Sequence, residues 1–144
     1  MIFKIREASL DDLEALHLIS RDSLGYDYPI YEMREKLIKS LDNEKEKIFV
    51  ATADDMTVGY IHLCDYDLLF APNFKNVLAI AVLDGYKRLG IGSALLVAGE
   101  KWAAQNGAVG VRLCSGEKRT NAHQFYRTCG YESNKKQLNF KKFF

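Results

Sequence analysis

Phe3 and Ile5 alternate with Lys4 and Arg6, a period of two that predicts a short strand over residues 2–6. Ser9, followed by Asp11 and Asp12, then supplies an N-cap and first-turn acids for a helix to about Leu24, with Leu13, Leu16, Leu18 and Ile19 as its apolar side. Residues 25–29 (Gly-Tyr-Asp-Tyr-Pro) break that pattern, and a more charged helix follows over residues 31–41. Strands are predicted over residues 48–53 and 58–65, joined by a turn at 54–57. Residues 76–82 form an apolar run without charge, which reads as a central strand buried on both faces. A glycine-rich stretch at 85–92 leads into a helix over 93–105, stopped by Asn106 and Gly107. Residues 109–114 predict a strand, 121–128 a short helix ended by Cys129 and Gly130, and 137–143 a last strand, with one more short strand near Tyr131. The sum is a single α/β domain over residues 1–144, a mixed sheet of about six to seven strands flanked by about four helices.

Composition narrows the partners. The chain has 144 residues, 48% of them apolar, enough for one core. Twenty Lys and Arg stand against 19 Asp and Glu, and a net charge of +1 gives no field suited to nucleic acid or an anionic membrane. The first residues carry charge from Lys4 onward, and no stretch reaches the ~18 apolar residues of a membrane span. The expected location is the cytoplasm. Cys64, Cys114 and Cys129 are too widely spaced for a metal site and odd in number, so they read as reduced, buried small hydrophobes, and no metal is expected.

A strand that enters a glycine-rich turn and opens a helix gathers backbone amides and the positive helix end at one point, a phosphate site by construction. Lys87 and Arg88 add charge there, and Gly90 and Gly92 let a ligand approach the backbone. A plain strand-to-helix turn is the alternative. Nucleotide motifs fail: Ile91, Gly92 and Ser93 follow Gly90 where a Walker loop needs Gly-Lys-Ser/Thr, and Leu95 stands where the dinucleotide fingerprint needs its third glycine.

The run Val82-Leu83-Asp84-Gly85-Tyr86-Lys87-Arg88-Leu89-Gly90-Ile91-Gly92 resembles motif A of the GNAT superfamily of N-acetyltransferases, Gln/Arg-x-x-Gly-x-Gly/Ala after a strand. Lys87 stands where Gln or Arg is usual, and Asp84 where Pro is frequent. Asn121-Ala122-His123-Gln124-Phe125-Tyr126-Arg127-Thr128-Cys129-Gly130-Tyr131 is similar to motif B, N-x-x-x-F-Y-x-x-x-G-F/Y. The resemblance implies a mostly antiparallel twisted sheet and acetyl-CoA as cosubstrate. It implies that Lys87, Arg88, Leu89, Gly90, Ile91, Gly92 and Ser93 hold the pyrophosphate, and that Ile80, Ala81 and Val82 pair through their backbone with pantetheine on a splayed strand. One amide of that strand would then be the oxyanion donor. Asn121 would bond the cofactor, or cap its helix, or both. Tyr126 would protonate the departing thiolate during direct attack by the amine, although a Tyr beside Phe125 is otherwise core packing.

Residues 76–81 contain no carboxylate, so the general base stays open among Asp65, Asp67, Glu117 and His123, or a water relay to one of them. For the acceptor, the connection between the first two helices offers Tyr26, Asp27, Tyr28 and Tyr31, a set suited to an amine cation, while Tyr26 and Tyr28 as a cover for the core is the other reading. The tail Ser115-Gly116-x-x-Arg119-x-x-Ala122-His123-x-Phe125-Tyr126 resembles small-molecule branches of the superfamily, among them aminoalkylphosphonate and antibiotic-modifying acetyltransferases. A small-molecule amine is the expected substrate, with a homodimer compatible. A protein or peptide N-acetyltransferase and a non-catalytic acyl-CoA-binding sensor are the alternatives.

Overall fold

The computed structural model describes residues 1–144. The backbone falls into two compact units, residues 1–113 and residues 114–144. The first holds β1 (Phe3–Glu7), α1 (Leu13–Leu24), α2 (Ile30–Leu41), β2 (Glu46–Ala53), β3 (Met56–Tyr66), β4 (Phe74–Val82), α3 (Ile91–Gln105) and β5 (Gly110–Leu113). The strands form one sheet in the order β1-β2-β3-β4-β5. Its first three pairings are antiparallel and the last, β4 with β5, is parallel, the arrangement that needs a crossover, here α3. No helix is long and apolar enough to cross a membrane.

Asp12 shows how the first helix is started. Only 4% exposed, it accepts both terminal nitrogens of Arg6 at 2.8 and 2.9 Å, the Ser9 amide at 2.8 Å and the Thr57 hydroxyl at 2.9 Å. Burial pushes its carboxyl up, but these donors outweigh burial and hold it below its ordinary value. The expected single helix from Ser9 is therefore split into a 3-10 turn over Leu10–Asp12 and α1. Leu16 and Ile19 of α1 are buried, whereas Leu18, expected on the same side, faces solvent. At the other end Gly25 takes the left-handed conformation, φ 80°, and its amide bonds back to Arg21. The β2–β3 hairpin turns through Asp54 and Asp55, both at positive φ, which matches the twist of its strands.

Strand alternation gives the sheet two faces. On one, Ile48, Val50, Tyr60 and Ala81 pack with Leu16, Ile19 and Leu37 of α1 and α2. On the other, Ile61 and Leu63 meet α3 at Gly99, where an added Cβ would come 2.8 Å from Leu63 Cδ2.

The second unit contains α4 (Thr120–Thr128). Gly130, at φ 93°, donates its amide to Arg127 and Tyr131 donates to Tyr126, a Schellman closure in which the Tyr126 and Tyr131 rings meet edge-on at 6.2 Å. This is the physical content of the F-Y-x-x-x-G-Y spacing.

Three expectations are corrected. Five strands form, not six to seven: residues 137–143 and the region of Tyr131 lie outside any strand. Alternation shows that a segment could be half-buried, but a strand needs a neighbour's backbone groups, and Leu138, Phe140 and Phe143 are exposed. β4 is not buried on both faces, since Leu78, unpaired where the register with β3 shifts, is exposed. The cysteines are not all core: Cys114, just past the end of β5, is exposed, and Cys64 and Cys129 are partly buried.

Candidate active site

β4 has one strand on each side only as far as Val77, which pairs with Leu113; β3 continues beside it to Val82, but β5 does not. The Leu83 amide bonds to the Val58 carbonyl in β3 at 2.9 Å. By alternation the amides of Ile80 and Val82 turn to the opposite edge, where no strand follows, while that of Ala81 faces β3. On that open edge the Val82 carbonyl already accepts the Ser23 hydroxyl at 3.2 Å.

Beyond β4 a 3-10 turn over Asp84–Tyr86 leads to Gly90, which caps α3 in the left-handed conformation at φ 87°. A side chain is strained there; glycine is not. The first helical hydrogen bond runs from the Ala94 amide to the Gly90 carbonyl at 3.0 Å, so the amides of Ile91 and Gly92 lie ahead of the ladder at the positive end of a 15-residue helix. The loop is exposed at Lys87, Arg88, Leu89 and Gly90. An unpaired strand edge running into a helix start is a surface for a ligand with an amide-bearing arm and an anionic group.

Residues 13–131 match the profile of the Acetyltransferase (GNAT) family. The chain belongs to that family. GNAT relatives include an N-alpha-acetyltransferase of Sulfurisphaera tokodaii, 35% identical over 69% of this chain and 61% of that protein, and one of Saccharolobus solfataricus, 33% identical over the same shares. The matched stretch thus spans about three-fifths of those relatives' length. Among solved structures, the aminoglycoside N-acetyltransferase AAC(6')-Iy in complex with a bisubstrate analogue superposes with a TM-score of 0.88 at 17% identity, covering 99% of both chains. A transcriptional regulator from Bacillus halodurans gives 0.86 at 21% identity, covering 98% of this chain and 100% of that one. At such identities the likeness is one of GNAT fold.

Lys87 pairs with Asp84 at 2.9 Å, so its charge is partly answered within the loop, and Arg88 is itself left-handed at φ 62°. Asn121 is exposed in the first turn of α4, whose N-cap is Arg119, so the capping role proposed for Asn121 falls away. Tyr126 is 9% exposed. Burial raises its phenol above the ordinary value against the opposing pull of Arg119, so it keeps its proton at neutral pH. Ser115 Oγ nearby in sequence is buried without a hydrogen-bond partner.

Tyr26 and Tyr31 are 69% and 72% exposed and Tyr28 is also exposed, so none of them covers the core. Their connection is held by His17, whose Nε2 lies 2.7 Å from the Tyr28 carbonyl and 3.8 Å from Asp27. The candidate bases are mostly engaged elsewhere: Asp65 with the buried Lys75, Glu117 with Lys136, and His123 with the Gly116 carbonyl at 2.8 Å. Asp67 is exposed.

A polar row was not picked out from the sequence. The register places Glu46 opposite Cys64, Cys64 opposite Asn76, and Asn76 opposite Arg112, all on the α1 and α2 face, with His62 one step along β3. His62 Nε2 meets Glu46 at 2.8 Å, Arg112 donates to Asn76, and the Arg112 guanidinium stacks on Tyr66 at 4.2 Å. The available signal was the period of two at 46, 48, 50 and 60, 62, 64, but joining the two strands needs their register.

Proposed function

We propose that this chain is an acetyl-CoA-dependent N-acetyltransferase that moves acetyl onto a primary amine by direct attack, with Tyr126 as general acid. The observation that carries the reading is the open edge of β4 leading into the Gly90-capped start of α3. Pantetheine carries amides that need strand-like partners, and pyrophosphate needs donors and positive potential. In this reading Ile80 and Val82 supply the pantetheine partners around Ala81. Leu89, Gly90, Ile91, Gly92 and Ser93 line the pyrophosphate through their backbone, with Lys87 and Arg88 as flanking charges and Asn121 as a further cofactor contact. The neutral amine attacks the thioester carbonyl, an amide of β4 stabilises the oxyanion, the C–S bond breaks to a thiolate that takes the Tyr126 proton, and the proton shed by the acylated nitrogen restores the phenol.

Two tests address the assignment. Acetyl-CoA should raise Tm, because a ligand of the folded state stabilises it by mass action. Gly92→Val should abolish that shift. Tyr126→Phe should keep the shift and lose about 10²–10⁴-fold in kcat; retention of half the wild-type kcat would make Tyr126 packing alone. Binding without turnover on any amine would leave an acyl-CoA-binding sensor.

For the acceptor, a small soluble amine is supported by the tyrosines and Asp27 of the α1–α2 connection and by a net charge of +1. A second reading, the α-amine of a protein or peptide, is favoured by the two relatives named N-alpha-acetyltransferase. A panel of aminoalkylphosphonates, polyamines, aminoglycosides and N-terminal peptides, scored by release of free coenzyme A, separates the two. Peptides that exceed every small amine tenfold in kcat/KM decide for the second.

A further inference from the structure

The row on the α1 and α2 face contains a pair arranged for proton transfer. His62 and Glu46 are only 23% and 22% exposed, and the Glu46 carboxylate is fixed on three sides: His62 Nε2 and Ser40 Oγ reach one oxygen at 2.8 and 2.9 Å, and Asn43 Nδ2 the other at 2.8 Å. Ser40 is on the last turn of α2, so the acid is locked between a helix end and the sheet. Burial pushes Glu46 up, yet the hydrogen bonds from His62, Ser40 and Asn43 bring it below its ordinary value, and it stays ionised at neutral pH. An ionised acid on Nε2 selects the tautomer with its proton there and leaves Nδ1 as the basic nitrogen.

His62 is also close to the open strand edge. Its Cα partner is Ala79, the residue before Ile80, at the register shift that frees Leu78. Paired antiparallel residues lie about 4.5–5.5 Å apart, so His62 stands one strand inward from the edge, its ring bonded to Glu46 on β2 and the small Ala79 at its paired position on β4.

We propose that His62 is the proton acceptor for the incoming amine, positioned by Glu46. The assignment rests on the acetyltransferase reading and fills the role that Asp65, Asp67, Glu117 and His123 leave open. An alkylammonium gives one proton to His62 Nδ1, directly or through water. The freed lone pair forms the C–N bond, the C–S bond breaks with its electrons on sulfur, and the thiolate takes the Tyr126 proton, which the acylated nitrogen replaces. Three N–H protons become one on the amide, one on the thiol and one released to solvent from His62. The proton inventory balances without any further reactant.

The charged and titratable groups sharing this face are Tyr60, Cys64 and Tyr66 on β3, Glu46 on β2 and Arg112 on β5; β4 contributes Asn76 and Ala79, α1 Leu16, Ile19 and Ser20, and α2 Leu37 and Ser40, and these last three elements add nothing that titrates. Burial raises both the Tyr60 phenol and the Cys64 thiol. An acidic limb of kcat/KM that disappears when His62 is replaced would report on this pair.

The test is kcat/KM against pH with the best amine of the panel. His62→Gln should lower it about 100-fold at pH 7 and remove the acidic limb, while acetyl-CoA still raises Tm. Added imidazole should restore part of the rate in His62→Ala. Glu46→Gln, useful if the His62 variants fold poorly, should move the acidic limb to lower pH, since a carboxylate favours a neighbouring imidazolium. Turnover by wild type with an unchanged limb in both His62→Gln and Glu46→Gln overturns the assignment and makes the pair a fastening of α2 to the sheet. No turnover by wild type on any amine overturns the acetyltransferase reading, and this one with it.

Discussion

Against α3, the sheet presents Ile61 and Leu63, both without exposure, and α3 answers with Leu95, Leu96 and the space left by Gly99. The one charge buried there, Lys75, is answered on the spot by Asp65 and lies 4.8 Å from the Trp102 ring. Against α1 and α2 the same sheet changes character along its length. Near β4's far end Tyr60 reaches Ser20 at 2.8 Å amid Leu16, Ile19 and Leu37, whereas near β2's start the residues are Glu46, His62, Cys64, Asn76 and Arg112. A face filled to contact has no room for a reactant; a face with half-buried, oriented polar groups costs stability and can move protons.

That contrast predicts a graded set of effects. The largest belongs to the α3 face: Leu63→Ala should cost about 2–5 kcal/mol in urea denaturation, with the acetyl-CoA affinity of the folded protein unchanged. Gly99→Val comes next, at about 1–3 kcal/mol, because its branched side chain must displace Leu63 from a packed core. On the α1 side Ser20→Ala should cost about 1 kcal/mol by stranding the Tyr60 hydroxyl. A double mutant with Tyr60→Phe should cost clearly less than the two single changes added together; simple additivity would break the claim that this bond is what joins α1 to β3 there.

The smallest effect concerns pH. Asp12 and Glu46 both have carboxyls held below their ordinary values in the fold. Their contribution to stability is present above the unfolded carboxyl range, about pH 4, and is lost as pH falls through the lowered folded values. Asp12→Asn and Glu46→Gln should each flatten the acid side of a Tm-against-pH curve. The His62 partner makes Glu46 the sharper case, since the same substitution is also expected to move the kinetic limb.

Local features were legible from residues alone. Gly25, Gly107 and Gly130 all sit at positive φ where helices were expected to end, and the start of α3 behind Gly90 follows the glycine pattern that also carried the family resemblance. Such signals lie within a few residues of what they control, because a helix cap or a left-handed turn is satisfied by its own neighbours. The strand edge at Ile80 and Val82 was expected from resemblance and has a definite form in the register. The His62–Glu46 pair was invisible. Sixteen residues separate them in the chain, and they meet only because β2 and β3 pair in a register set by the Asp54–Asp55 turn and the shift between Ala51 and Thr52. Residues 137–143 fail in the opposite direction, with strand-like alternation and no strand. The sequence determined which segments can be helical, extended or left-handed, since those preferences are properties of short stretches. Tertiary structure decided which extended segments find partners, where β4 loses one, and which polar side chains meet, because backbone pairing is a contact between distant residues and a one-residue change of register turns every side chain to the other face.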